Sequence, residues 1–385
     1  MDIRITPSLL AGSVTPPPSK SMAHRAILAL LLVEGEGSIS NLAASQDIEA
    51  TRRCAAVLQS DGPEVLDCGE SGSTLRFLIP IALALRGGGR FTGRGRLMER
   101  PQTPYFDIFD EKGVFYEQKD GVLTVKGRLT PGEYRLPGNV SSQFVTGLLY
   151  ALPLLEGDSG IVLTSPLESR GYVDMTLETL NQFGVTVENR SYERFTIPGR
   201  QRFQARDVTI EADWSQAAFW LAAGALGNPV RTDGLNEQST QGDRIIREHL
   251  ALFAGKTVEI DVSDCPDLLP PLAVIAAFHD GITRLTNAAR LRLKESDRLT
   301  AVTKTLNALG ADAEEGPDFL EIRGRNSLDG GSVDGANDHR IVMAAAIAAA
   351  RCAGPVTILG AEAVNKSYPN FWDDYRMLGG KFDVL

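Results

Sequence analysis

Lys20, His24 and Arg25 fall within six residues at the head of PPPSKSMAHRAILALLL, Pro16 to Leu32, a stretch that then runs almost wholly aliphatic. The apolar run reads as a buried helix, whose first turn already presents unpaired backbone N–H groups and the positive end of the helix dipole. Cations at that end are unfavourable unless an anion completes the site. The arrangement recurs along the chain: Arg76 follows SGST, Gln143 follows Ser141 and Ser142, and His339 with Arg340 follows Asn337 and Asp338. Arg100 in RLMERP, Lys294 and Arg298 in KESDR, and Lys366 in NKSYP stand between the helical runs. One helix end contributes only about 0.3 to 1 kcal/mol, so a multiply charged ligand needs several such ends together. The chemistry implied is recognition of anions.

The elements that must position these groups repeat. Six runs, SMAHRAILALLL, SGSTLRFLIPIALAL, SSQFVTGLLYALPLL, DWSQAAFWLAAGAL, PDLLPPLAVIAAF and NDHRIVMAAAIAAA, are apolar nearly all round, as enclosed helices are. Amphipathic runs alternate with them, each ending on a glycine suited to a left-handed C-terminal cap: AAVLQSDG, YFDIFDEKG, TLETLNQFG, EHLALFAG, KTLNALG and DDYRMLGG. Starts at Ser21, Ser73, Ser142, Ser215, Asp267 and Asp338 are separated by 52, 69, 73, 52 and 71 residues, so the short step returns at the same place in each half. Stretches such as DGVLTVKG, DSGIVLTS, RDVTIEAD and GPVTILG supply strands. The pattern predicts an α/β protein of two similar domains with three strand and helix units each. Residues 15–208 form one lobe, and 1–14 with 209–385 form the other, the strand DIRIT joining the second. Both are expected to converge on a cleft.

Composition narrows the class. A chain of 385 residues with 43% hydrophobic residues has more apolar material than one core usually serves. Its net charge of −10 opposes a nucleic-acid partner, while screening over roughly 8 Å lets a local basic cluster decide what a pocket binds. Cys54, Cys68, Cys265 and Cys352 form no CxxC pair, and His24, His249, His279 and His339 form no HxH or HxxxH, so neither a disulfide framework nor a histidine metal site is expected. No signal-peptide pattern opens the chain and no apolar run is long enough for a bilayer, which predicts a cytoplasmic protein without a membrane partner.

Each motif also has a structural explanation. SKS before a helix serves as an ordinary cap, GESGST lacks the lysine of a phosphate loop, and SSQF taken singly is a capped helix. Arg298 suits an exposed i,i+3 pair with Glu295, and Asp267 ahead of LLPPLAVIAAF suits an N-cap. Co-occurrence at equivalent repeat positions is what favours the functional readings.

PPSKSMAHRAILAL, GESGSTLRF, MERP, GNVSSQFVTGLLYALPLL, LESRGYVDMTLETLNQFG, DCPDLLPPLAVIAA, LRLKESDRL, NDHRIVMAAAIAA and NKSYPNF, in that order and nearly end to end, resemble the EPSP synthases, the 3-phosphoshikimate 1-carboxyvinyltransferases. The resemblance implies two domains of three βαβαββ units each, an inside-out α/β barrel with the active site in the interdomain cleft. It also implies transfer of the enolpyruvyl group of phosphoenolpyruvate to the 5-hydroxyl of shikimate 3-phosphate, releasing phosphate, by a monomer without metal or organic cofactor. Under it Lys20 contacts phosphoenolpyruvate and Ser21 with Arg25 hold the shikimate side. Ser141, Ser142 and Ser169 bind the 3-phosphate, and Gln143 and Tyr172 line the ring. Gly72, Arg100, Arg298, Arg340 and Lys366 surround phosphoenolpyruvate, with Lys294 among the substrate-binding groups. Asp267 is the base on the 5-hydroxyl, Glu295 a partner in proton exchange at the methylene carbon, and Lys20 a proton donor.

Two positions depart from the family pattern: Glu70 and Arg290 replace asparagines, which puts in question one contact to phosphoenolpyruvate and one near the shikimate phosphate. A sister transferase acting on UDP-N-acetylglucosamine is disfavoured by the absence of a cysteine near RGRLMERP and by SKS in place of SKN. A non-catalytic anion-binding module would not require Lys20, Asp267 and Glu295 together. An RNA-end-processing relative would need a basic surface.

Overall fold

The computed structural model describes residues 1–60 and 65–385. The glycine expected to close AAVLQSDG, Gly62, lies outside them. The chain divides into an N unit, Lys20–Ile210, and a C unit, Met1–Ser19 with Glu211–Leu385, beside the 15–208 boundary expected from the repeat.

In the N unit, Val65–Asp67 and Gly88–Thr92 pair in parallel, and Val122–Lys126 and Phe115–Lys119 add to them antiparallel. The same order returns in Gly132–Leu136, Ser159–Leu163, Arg194–Ile197 and Glu188–Arg190. Each parallel pair is bridged by a helix, because parallel neighbours need a crossover, and each terminal pair is a hairpin. Among the described residues the third sheet holds only Ser38–Ser40 and Asp207–Thr209, in parallel, without a hairpin. The crossover helices Gly72–Arg86 and Ser142–Ala151 are buried nearly all round and pack on each other. Gly147 permits that approach: a Cβ there would fall 2.6 Å from the Arg76 carbonyl oxygen.

The C unit repeats the plan. Thr257–Asp261 and Ile282–Thr286 are joined by Leu320–Arg323 and Asp312–Glu315, and Gly331–Asp334 and Val356–Leu359 by Ile3–Thr6 and Lys381–Val384. Its third sheet is again a lone parallel pair, Gly12–Val14 with Val230–Thr232. The buried helices Trp214–Ala225, Leu269–Phe278 and His339–Ala349 contact one another pairwise and form the core, with every residue of His339–Ala349 buried. Within each unit the helices are thus inside. Among the described residues the sheets are separate and open, which is the inside-out arrangement expected, helices within and sheets around them.

Gly113, Gly184, Gly310 and Gly379 take the left-handed backbone expected beyond the amphipathic helices. Gly255 does not. The helix before it, Ile246–Leu252, ends three residues earlier and runs into turns.

Candidate active site

The candidates fall into two clusters, one in each unit. In the N unit, Lys20 is the first residue of the helix Lys20–Leu31, and its ammonium donates to Asp47 Oδ2 at 2.9 Å. Asp47 stands in the first turn of Gln46–Gln59, capped by Ser45. A carboxylate in a first turn reads as a dipole partner, and that blandness is why the sequence reading passed over Asp47. Arg25, one turn into its helix and 2% exposed, meets only neutral oxygens: Nε donates to Thr176 Oγ1 at 2.8 Å, Nη1 to the Ser21 carbonyl at 2.7 Å and Nη2 to the Tyr172 carbonyl at 2.6 Å. Burial pulls its basicity down to about 10.

Around the other helix starts, Ser141 caps Ser142–Ala151 by accepting from the Gln143 N–H, and Ser142 is buried. The Gln143 amide bridges Arg76 Nη1 at 2.8 Å and Ser73 Oγ at 3.0 Å. Gly72 opens its helix against the Arg100 guanidinium, and a Cβ on Gly72 would lie 2.5 Å from Arg100 Nη1. Arg100 is itself buried, and among the described residues its Nε has no hydrogen-bond partner. Ser169 precedes Arg170–Gln182 in the left-handed region, φ 59°, which residues other than glycine seldom adopt. Its carbonyl accepts from the Tyr172 N–H, so Ser169, Tyr172, Arg25 and Ser21 form one connected wall.

In the C unit, Asp267 is the hub. Its Oδ1 accepts from Arg298 Nη1 at 2.8 Å and lies 3.5 Å from Lys294 Nζ, and its Oδ2 accepts from Arg340 Nη2 at 2.9 Å. The N-cap role expected for Asp267 is overturned: it sits within a 3-10 turn, Pro266–Leu268, and Leu269–Phe278 begins without a side-chain cap. The exposed i,i+3 explanation of Arg298 also fails. Its bond to Glu295 exists, at 2.6 Å, but the guanidinium is 1% exposed and also holds Asp338, Nε to Oδ2 at 2.9 Å. Burial alone would make Arg298 less basic, but Asp338, Glu295 and Asp267 together hold it above its ordinary value. Asp338 accepts from Ser296 Oγ as well, and caps the backbone N–H of Arg340. Lys366 donates to the Asn337 carbonyl at 2.6 Å, next to that cap.

Burial pulls the Lys294 ammonium down to about 8, against the opposing pull of Asp267. Asp243, in QGD, is another group the sequence reading passed over: burial, then the charge of Asp267, pushes its carboxyl up to about 7. Of the two departures, Arg290 Nη2 donates to the Ser263 carbonyl, and the Glu70 carboxylate lies over Gly95.

A family model described as EPSP synthase (3-phosphoshikimate 1-carboxyvinyltransferase) matches residues 5–62 and 52–375. The chain is 45% identical over 427 residues to a 3-phosphoshikimate 1-carboxyvinyltransferase of Clostridium novyi, covering 99% of this chain and 98% of that one. It is 46% identical over 418 residues to that of Clostridium kluyveri, with the same coverages. The solved EPSP synthase of Acinetobacter baumannii shares the fold with a TM-score of 0.80 at 24% identity over 100% of both chains. The enolpyruvyl transferase NikO of Streptomyces tendae does so with 0.78 at 16%, over 99% of this chain and 98% of its own. With the family model and these relatives spanning nearly all of its length, the chain belongs to the EPSP synthase family.

Proposed function

We infer that the protein transfers the enolpyruvyl group of phosphoenolpyruvate to the 5-hydroxyl of shikimate 3-phosphate and releases phosphate. The observation that carries the reading is Asp267, a carboxylate shared by Arg298, Arg340 and Lys294, a placement that cap formation does not explain. Two anions must be joined, and guanidinium forks offset their repulsion while fixing their approach. On this reading the Arg25, Ser21, Tyr172 and Ser169 wall with Ser141, Ser142 and Gln143 takes the shikimate ester, and Gly72, Arg100, Arg298, Arg340 and Lys366 take phosphoenolpyruvate. A carbon–oxygen bond forms as the 5-hydroxyl gives its proton to Asp267 and the methylene carbon gains one from Lys20. The bond to phosphate then breaks as the new methyl group returns a proton, with Glu295 as its acceptor. Lys20 must exchange its Asp47 partner for substrate to take part.

In this reading the protein acts as a monomer. Its charged substrates do not cross membranes unaided, which favours the cytoplasm. Among the described residues no helix is long and apolar enough to cross a membrane. Purified protein given both substrates is expected to release inorganic phosphate without added metal; binding without release overturns the reading. Asp267→Asn is expected to keep substrate binding while lowering turnover about 100-fold or more. Full turnover in that variant removes Asp267 from the role.

A further inference from the structure

We propose that Arg292, whose hydrogen-bond and ion-pair partners among the described residues include none of the candidate site residues, is a positioning residue that clasps shut the loop carrying Lys294 and Glu295. The loop runs from the end of the 3-10 turn Ala289–Leu293 to Asp297, the N-cap of Arg298–Ala308, through backbone that belongs to no helix or strand. Arg292 and Asp297 close its two ends on each other: Arg292 Nη1 donates to Asp297 Oδ2 at 3.0 Å and Oδ1 at 3.3 Å. The rest of the guanidinium is tied to a neighbouring turn, Nη2 to the Gly316 carbonyl at 2.6 Å and to Glu315 Oε2 at 3.1 Å, and Nε to the Pro317 carbonyl at 3.2 Å. Thr300 completes the ring, accepting from Arg292 Nη1 at 3.0 Å and donating to Glu315 at 2.9 Å.

A planar fork with five donors fits this set, and a single ammonium cannot span it. Held this way, the loop sets Lys294 within 3.5 Å of Asp267 and Glu295 against Arg298. The groups facing Lys294 are Asp267, Arg298, Glu295 and Arg290, and its burial among them is what suppresses its basicity. Releasing the clasp lets water reach the loop, so the lysine regains basicity while the site loses alignment.

The inference rests on the enolpyruvyl transfer reading. The test is steady-state kinetics with both substrates from pH 6 to 10, with melting temperatures, for wild type, Arg292→Ala, Arg292→Lys and Asp297→Asn. Arg292→Ala is expected to lower kcat/KM about 10- to 100-fold, the scale of a modest misplacement. Its basic limb, near 8 in the wild type where Lys294 loses its proton, should move to higher pH. Arg292→Lys should recover part of the loss. Asp297→Asn keeps a good cap but not the charge, so it should move the limb the same way by less, and it carries the test if Arg292→Ala fails to fold. Unchanged kinetics in Arg292→Ala, or a loss with the wild-type basic limb, overturns the clasp. A wild type that releases no phosphate fails the functional reading instead.

Discussion

The two candidate clusters are built on the same module and handle charge in opposite ways. In the C unit the buried guanidiniums meet carboxylates: Arg298 holds Asp267, Glu295 and Asp338, and Arg340 holds Asp267. In the N unit Arg25 is held by hydroxyl and carbonyl oxygens, Arg76 donates to an amide and a carbonyl oxygen, and Lys20 meets a carboxylate, Asp47. Neutral acceptors orient a guanidinium without cancelling its charge, so Arg25 keeps its positive charge for a ligand. The C unit instead fixes its carboxylates in place, as proton transfer requires. Helix starts that look alike in sequence therefore serve different ends according to what faces them.

The sharpest way to break this contrast is Arg298→Ala. It leaves three carboxylates without their shared cation, and removing one member of a buried ion pair costs about 3 to 5 kcal/mol. A large fall in melting temperature is expected together with loss of turnover; an unchanged melting temperature would mean that the network does not hold the C unit together.

Acid should separate the units next. His24 is buried, with Nδ1 2.7 Å from Thr51 Oγ1, and burial, then Lys20 and Arg25, hold its basicity well below the ordinary 6.5. The folded N unit thus resists a proton that the unfolded chain accepts, so the stability contributed by neutral His24 is fully present above pH 6.5 and is lost as pH drops below it, by at most about 1.4 kcal/mol per pH unit. Hydrogen exchange at pH 5 should show Lys20–Leu31 and Gln46–Gln59 loosening before His339–Ala349. The reverse order, or a His24→Asn variant equally sensitive to acid, would sink the assignment.

The smallest effect on stability is expected from Gly72→Ala. The added methyl meets the tip of a flexible arginine rather than backbone, so Arg100 turns aside and the helix stays. Stability should change by about 1 kcal/mol or less, the range of ordinary substitutions that leave the core intact. KM for phosphoenolpyruvate should rise, and an unchanged KM would separate Arg100 from that substrate.

Much of this organisation was legible before any coordinates. The six enclosed helices and the recurring short step follow from apolar periodicity, which depends on local sequence alone. Asp267 and Glu295 were marked by the family resemblance, since taken alone each reads as a surface group or a cap. What could not be read is set by contacts distant in sequence. Asp338 looked like a cap and is also a ligand of Arg298, 40 residues away. Arg298 looked like half of a surface pair and lies at the centre of a buried network. Asp47 lies 27 residues from the lysine it holds, in a turn where an acid needs no explanation. That the third sheet of each unit has no hairpin among the described residues likewise left no mark on the helical repeat.

The strand Ile3–Thr6 lies between Val356–Leu359 and Lys381–Val384. The N unit is one unbroken stretch and can fold while the ribosome is still translating, but this sheet of the C unit cannot close until residues 381–384 have emerged. Until then the strand Ile3–Thr6 lacks a neighbour, so deleting it, or burying it in a rigid fusion, should spoil the second half of the protein while leaving the first able to fold.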